Sequence, residues 1–394
     1  MTKGYTIRDR QFWVIVLSLG LASMFIFAAM YSLQPLIPLF TSEFNISISS
    51  ASLSMSLTTV SLIAGLIVLG FFSDRNGRVL FIKLSIFLSL ILFLLIPYTD
   101  SFFIILILRF IQGFTLAGVP AAAIAYIGEE IDSQYSALAT SLYISCNALG
   151  GMIGRIVTAY VSEQYSWQLA FILLCIFGTV ILIIVLFALP KSRNFVRSER
   201  LLREDFKSFL FHLKNPKLLL LFGLGIILQV SFTGVWTYIP FYLINPPFSL
   251  TLDSISLLYF AYGIGILGAP IASWLSNHLG VAKVRAIAIF IMIAGILATL
   301  STSLGVVIFG LCILCFGFFT SHSLAAATVS RTATHQKGSA SSLYLVSYYL
   351  GVACGSTLLS SLWSTESWLV LASFTASLPL LYLIFLTYQF KKVN

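Results

Sequence analysis

Apolar residues in this chain do not alternate with polar ones; they run together in long blocks separated by short polar turns. Six blocks occupy 12–38, 48–72, 79–98, 102–128, 136–161 and 166–189, and six more occupy 218–244, 254–276, 282–302, 304–328, 339–362 and 367–390. Each reaches the roughly 20 residues that a helix needs to cross the hydrocarbon core of a bilayer. Inside lipid a backbone N–H or C=O has no water to bind, so each block is expected to close its hydrogen bonds within itself as an α-helix. The period-2 alternation of a barrel strand is absent. The pattern predicts an all-α membrane protein with twelve transmembrane helices.

Composition sharpens this. Hydrophobic residues make up 59% of the chain and charged residues 9%, against about 25% charged in soluble domains. Lys3, Arg8, Asp9 and Arg10 precede the first block, which runs well past the about 7 to 15 apolar residues of a signal peptide and is followed by no small-residue cleavage site. The first helix is therefore expected to be retained. With the N-terminus inside, the basic residues of the N-terminal tail, the 70–78 turn with Lys83, the central stretch, Lys283 with Arg285, Arg331 with Lys337, and Lys391 with Lys392 all face one side, whereas the opposite loops hold only Glu43, Asp100, Glu163, Asp253 and Glu366. The positive-inside rule then places both termini in the cytoplasm. It also explains the net charge of +9 as a topology signal rather than a nucleic-acid surface.

The chain repeats itself. Ser141-Leu142-Tyr143 recurs as Ser342-Leu343-Tyr344, Leu149-Gly150 as Leu350-Gly351, Gly154 as Gly355 and Ser166-Trp167 as Ser367-Trp368, all at one offset. Gly113 with Ala121-Ala122-Ala123 recurs as Gly317 with Ala325-Ala326-Ala327 at a slightly larger one, and Gly77 has a counterpart in Gly280. Two pseudo-symmetric six-helix halves are expected, 1–190 and 218–394, joined by a linker at 191–217; transporters built this way place substrate at the interface of the repeats. In the linker, Leu201, Leu202, Phe206, Phe209, Leu210 and Leu213 recur at helical spacing among basic residues, which predicts an amphipathic helix on the inner membrane face.

The polar turn Gly70-Phe71-Phe72-Ser73-Asp74-Arg75-Asn76-Gly77-Arg78 resembles the loop between helices 2 and 3 of the major facilitator superfamily of transporters. Arg109-Phe110-Ile111-Gln112-Gly113 resembles the helix 4 signature of its proton-coupled members. Cys146-Asn147-Ala148-Leu149-Gly150-Gly151 stands where its antiporters carry Gly-Pro-x-x-Gly-Gly; the glycine pair is kept, but the helix distortion a proline would impose is missing. The stretches Tyr31 to Pro38, Tyr143 to Arg155 and Ser339 to Gly351 are similar to the YnfM-type branch of bacterial inner-membrane transporters, near the drug:proton antiporter group. The resemblance implies the major facilitator fold, the bacterial cytoplasmic membrane, and a conformational latch built from Gly70, Asp74, Arg75, Gly77 and Arg78. In that latch Asp74 and Arg78 close the inner side, with Glu129 or Glu130 as the partner of Arg78.

Polar residues inside spans are costly, about 2.5 to 3.5 kcal/mol for an arginine on insertion scales, and so mark function. Arg109 and Arg155 lie there with no carboxylate inside any span. Each is expected either to bind carbonyls or water, or to hold an anionic substrate group. Gln34, Gln112, Asn147, Gln229 and His322, with the amphipathic rings of Tyr31, Trp236, Tyr344 and Tyr348, complete the candidate substrate cavity, and the resemblance puts their helices around or beside a central cavity. His322 and Asp74 are the proton-carrier candidates, His322 because imidazole titrates near physiological pH. The five cysteines lie inside spans, and Cys312-x-x-Cys315 has no second pair, so no metal or other cofactor is expected. No Walker-type phosphate loop occurs. A monomeric, non-enzymatic secondary transporter for a small organic solute is expected, exporting it against protons by alternating access. Uptake or facilitated passage of an organic anion, and a membrane receptor or enzyme, are the alternatives.

Overall fold

The computed structural model describes residues 4–197, 202–333, 337–363 and 367–393. Among them are twelve helices long and apolar enough to cross a membrane. They are α1 (Arg10–Glu43), α2 (Ile48–Asn76), α3 (Arg78–Tyr98), α4 (Phe102–Glu130), α5 (Ser133–Gln164), α6 (Trp167–Ala188), α7 (Pro216–Ile244), α8 (Leu252–Ser276), α9 (Val281–Ala298), α10 (Leu304–Thr332), α11 (Ser339–Trp363) and α12 (Trp368–Gln389). The chain divides into two compact units, Met1–Glu199 and Arg200–Asn394, so each unit carries six spans. A further helix, Leu202–Leu213, follows the boundary; Phe209 is half-buried while Leu210 and Leu213 are exposed. Leu201 and Glu366 lie outside the described residues.

Several spans expected to be continuous are interrupted, three of them ahead of a proline; α8 also breaks after Leu258 and α11 after Thr357, with no proline four residues on. The first segment of α1 stops at Tyr31, that of α4 at Leu116, and α8 breaks after Ile266. Each stop lies four residues before a proline, namely Pro35, Pro120 and Pro270. Proline lacks the N–H that the carbonyl four residues earlier would accept, and its ring clashes with that carbonyl. The effect is not automatic, since Pro240 and Pro379 sit inside unbroken helical stretches of α7 and α12. Span α5, with Asn147 where the resembled antiporters have proline, is a single uninterrupted helix.

Inside each unit the repeated glycines let backbones touch. A Cβ at Gly154 would lie 2.6 Å from the Ala28 Cα on α1, and one at Gly355 would lie 2.6 Å from the Val230 carbonyl oxygen on α7. The α1–α5 and α7–α11 contacts are thus made by the same repeated residue. Gly113 and Gly317 part company: the first meets the Thr58 backbone of α2, the second Met292 and Ala288 of α9. Gly77 and Gly280 open α3 and α9 with φ of 101° and 83° and ψ near 140°, a combination that a side chain does not tolerate.

The outward faces are apolar. Leu80, Leu84, Phe87, Ile91 and Leu94 of α3, Ile176, Val180, Ile183 and Phe187 of α6, and Leu381, Ile384 and Phe385 of α12 are all exposed. Such continuous apolar surface is what lipid requires and water does not tolerate.

Gly154→Val and Gly355→Val are expected to destabilise by about 1–3 kcal/mol each through overpacking. Gly128→Ala, at a site with nothing within 4 Å, serves as the neutral control. Thermal unfolding of purified protein in detergent reads all three.

Candidate functional site

The interruption of α1 organises the first unit. The last four carbonyls of a helical segment have no intrahelical donor, and two of those before the Tyr31 stop are taken by one side chain. Arg109 of α4 donates from Nη1 to the Ala29 oxygen at 2.9 Å and from Nη2 to the Met30 oxygen at 2.7 Å. Gln112, one turn on, accepts from Nη1 at 2.6 Å and donates to the Ser89 carbonyl at 3.2 Å, which fixes the fork. Arg109 is fully buried. The Arg-x-x-Gln pair is therefore a cross-helix cap on a broken span.

The break in α4 is satisfied the same way. Ser85 of α3 donates to the Thr115 carbonyl at 2.6 Å and accepts from the Val119 N–H at 3.2 Å, bridging the gap that Pro120 opens.

Arg155 of α5 sits on the other side of the α1 break. Its Nε donates to Gln34 Oε1 at 2.7 Å, its Nη1 to the Gly151 carbonyl at 2.8 Å, and its guanidinium lies 4.0 Å from the centre of the Tyr31 ring. Gln34 belongs to the short 3₁₀ turn Gln34–Leu36 that the interruption creates. Arg155, Gln34 and Tyr31, far apart in sequence, form one cluster. Asn147 stands two turns before Arg155 on α5 and accepts from Ser23.

The basic rim of the first unit holds the turn motif. Arg78 donates from Nε at 3.0 Å and Nη2 at 2.9 Å to Glu129 Oε1, and its Nη1 pairs with Asp74 one turn back. Of the two acids considered for Arg78, Glu129 takes it. Glu130 is buried and turned away, accepting the N–H groups of Arg193 at 2.6 Å and Asn194 at 2.9 Å, so it ties down the segment after α6. Arg75 lies over the Phe71 ring at 3.3 Å, and Gly70 faces Ala121.

In the second unit His322 of α10 and Tyr344 of α11 meet, with the phenol oxygen 3.0 Å from Nδ1 and the rings stacked at 5.4 Å. Tyr348 packs at 4.7 Å from the same imidazole, and Phe318 lies parallel to it at 5.8 Å. Gln229 of α7 is buried and donates to Thr233 at 2.9 Å; two turns on, Trp236 stacks on Tyr259 at 5.1 Å and approaches Tyr262 at 4.8 Å.

Sequence reasoning overlooked Phe232, Tyr259, Tyr262, Phe318 and Phe319, whose rings fill the space between α7, α8 and α10. Aromatic residues in an apolar span carry no signal of which face they occupy. One reading is corrected. Arg285, counted with the solvated topology charges, is 6% exposed, inside the second turn of α9.

No group of three or more His, Cys, Asp or Glu that could hold a metal occurs among the described residues. Twelve apolar helices in two six-span units, with interrupted spans and polar groups in the apolar blocks, define a multi-pass membrane protein of the solute-transporter class. The chain belongs to the Major Facilitator Superfamily, whose family model matches residues 19–356. It is 37% identical over 343 residues to an uncharacterized MFS-type transporter, YybF, of Bacillus subtilis, covering 87% of this chain and 85% of the relative. To the inner membrane transport protein YnfM of Escherichia coli it is 32% identical over 366 residues, covering 93% and 88%. A crystal structure of a mutant of the nucleoside transporter NupG matches with a TM-score of 0.77 at 13% identity, over 95% of this chain and 100% of that one, which is a likeness of fold.

Arg109→Gln is expected to lower the melting temperature of the purified protein, since it leaves the Met30 carbonyl without its side-chain donor and the Ala29 carbonyl with the Ser32 hydroxyl alone, at about 1–3 kcal/mol for a buried group left unpaired. Arg109→Lys, whose single ammonium lacks the planar fork, should recover only part of the loss.

Proposed function

We propose that this chain is a secondary active transporter of the bacterial cytoplasmic membrane that exports a small organic solute against protons by alternating access. The observation that carries the reading is the break in α1 with Tyr31, Gln34 and Arg155 gathered at it. Discontinuous helices in the membrane are tolerated where their freed polar groups are buried or line a cavity, and transporters build substrate sites from them. Arg109 with Gln112 holds the break in shape, while Arg155, Gln34, Tyr31 and Asn147 supply recognition from the first unit. Gln229, Trp236, His322, Tyr344 and Tyr348 supply it from the second. The basic ends of the spans face the cytoplasm under the positive-inside rule.

A second reading, uptake or facilitated passage of an organic anion, is favoured by the Arg155 guanidinium, whose planar fork suits a carboxylate in a way a lysine does not reproduce. On that reading Arg155→Lys weakens an anionic solute although the charge is kept.

Flux in liposomes with an imposed pH gradient tests the coupling. Export that follows the gradient is expected, and loss of that dependence in His322→Gln would assign the proton to the imidazole; dependence retained in His322→Gln moves it to Asp74. Solute movement indifferent to the gradient rejects proton coupling.

Asp74→Asn should remove the charge partner that Arg78 shares with Glu129, shift the resting population toward the inward-open state, and slow turnover more than it weakens binding. Labelling of cysteines placed at the inner ends of the spans reads the shift; labelling and turnover both equal to those of the parent would reject the latch.

A further inference from the structure

Each buried guanidinium of the first unit holds hydrogen bonds: Arg78 to Asp74 and Glu129, Arg109 to two carbonyls and Gln112 with only its Nε buried and unpartnered, and Arg155 to Gln34 and Gly151. Arg285 of the second unit is different. It is 94% removed from solvent, and its Nη1 is buried without a hydrogen-bond partner. The adjoining Val284 belongs to the interior, packed with Ala272 of α8 and Leu324 of α10, so this turn of α9 faces protein. Span carboxylates cannot neutralise it. In residues 216–393 the sequence holds two acids: Asp253, in the first turn of α8 at the opposite end of that span from the turn into α9, and Glu366, which lies outside the described residues.

The phenol of Tyr344 interacts electrostatically with Arg285; it is fully buried and reaches His322 Nδ1 at 3.0 Å. A buried cation with a donor left open is a costly feature that an incoming oxyanion would complete. The fork of a guanidinium binds a carboxylate with two parallel N–H donors. Tyr344, which interacts electrostatically with Arg285, carries a hydroxyl, and the rings of His322, Tyr348 and Phe318 supply an aromatic surface around it.

We propose that Arg285 is an oxyanion-binding residue inside the second unit, taking the carboxylate of a small aromatic acid with Tyr344 alongside. The proposal rests on the reading of the chain as a transporter of organic solutes and names a substrate class for it. It is distinct from an anion site at Arg155, which lies in the other unit.

Purified full-length protein in neutral detergent, melted in the presence of benzoate, benzamide or benzylamine, tests it. Benzoate is expected to raise the melting temperature more than its neutral and cationic counterparts. Arg285→Gln should weaken benzoate by about tenfold or more, the scale of one charge-assisted hydrogen bond, and Arg285→Lys should restore part of it. Without ligand, Arg285→Gln should melt no lower than the parent, because it removes a buried charge that nothing in the spans pairs; a structural arginine would give the opposite sign.

A benzoate shift that survives Arg285→Gln, or a ligand-free melting temperature that falls steeply in that variant, would overturn the proposal. So would a shift produced by phosphatidylglycerol micelles and not by benzoate, which would make the ligand a lipid headgroup. Liposome flux separates the two readings: solute export with no benzoate effect removes the Arg285 site alone, whereas benzoate binding lost with Arg285 in a protein without flux removes the transport reading and leaves the site.

Discussion

A backbone carbonyl inside an apolar helix has to find a donor, and the architecture of the first unit follows from how it does so. Pro35 and Pro120 each withdraw a donor and crowd the carbonyl four residues back, and in both cases the helical segment stops at that carbonyl. Water cannot compensate in hydrocarbon, so the donors come from the neighbouring helix. Arg109 supplies them to the Ala29 and Met30 carbonyls just before the stop in α1, and Ser85 to the Thr115 and Leu116 carbonyls of α4. These bonds run between spans, α4 to α1 and α3 to α4, and so they lock the unit as well as satisfy it. The arginine in mid-span, expensive in isolation, is the fitting donor because its fork serves two carbonyls at once.

The same break places the recognition chemistry. With the α-helix interrupted after Tyr31, the chain tightens into the Gln34–Leu36 turn, and Gln34 meets Arg155 from α5. Glycine makes the meeting close: Gly150 and Gly154 of α5 lie against the Met24 and Ala28 backbones. A side chain at either position would push α5, and with it Arg155, away from Tyr31. Packing and chemistry are thus set by one helix pair. In the second unit the equivalent pair, α7 with α11, keeps the glycines at Gly351 and Gly355 but carries Ser356 where Arg155 stands in the first. Its polar groups lie elsewhere, around His322 and Tyr344. The halves share a frame and differ in charge.

At the rim, the turn that opens α3 shows how local chemistry and tertiary contact divide the work. Gly77 is required because φ of 101° excludes a side chain, and Asp74 and Arg78 are neighbours on consecutive turns. Both facts are local. Glu129 completes the group from α4, with two short bonds to a single carboxylate oxygen. Glu130, adjacent in sequence, points to the backbone of Arg193 and Asn194 instead, because successive helical residues diverge by about 100° around the axis.

Taken alone, the chain's residues determine the class, the number and order of spans, the two-unit repeat and the turn before α3. All of these rest on hydropathy, helical length and fixed local geometry, which need no knowledge of neighbours. Membership of the Major Facilitator Superfamily was legible for the same reason, since the turn and the Arg-x-x-Gln pair are short local patterns. The interruptions were not legible, because Pro35, Pro120 and Pro270 break their helices whereas Pro240 and Pro379 do not, and only the surrounding packing distinguishes them. The partners of the arginines were likewise decided by tertiary structure. Arg109 and Arg155 looked equivalent as charges in apolar blocks, yet one faces carbonyls and the other a glutamine and a tyrosine ring. Arg285 looked like a rim charge five residues after a turn glycine, and its burial comes from α8 and α10 closing over the first turns of α9. Helical periodicity tells which residues share a face; which helix that face meets is a property of the folded whole.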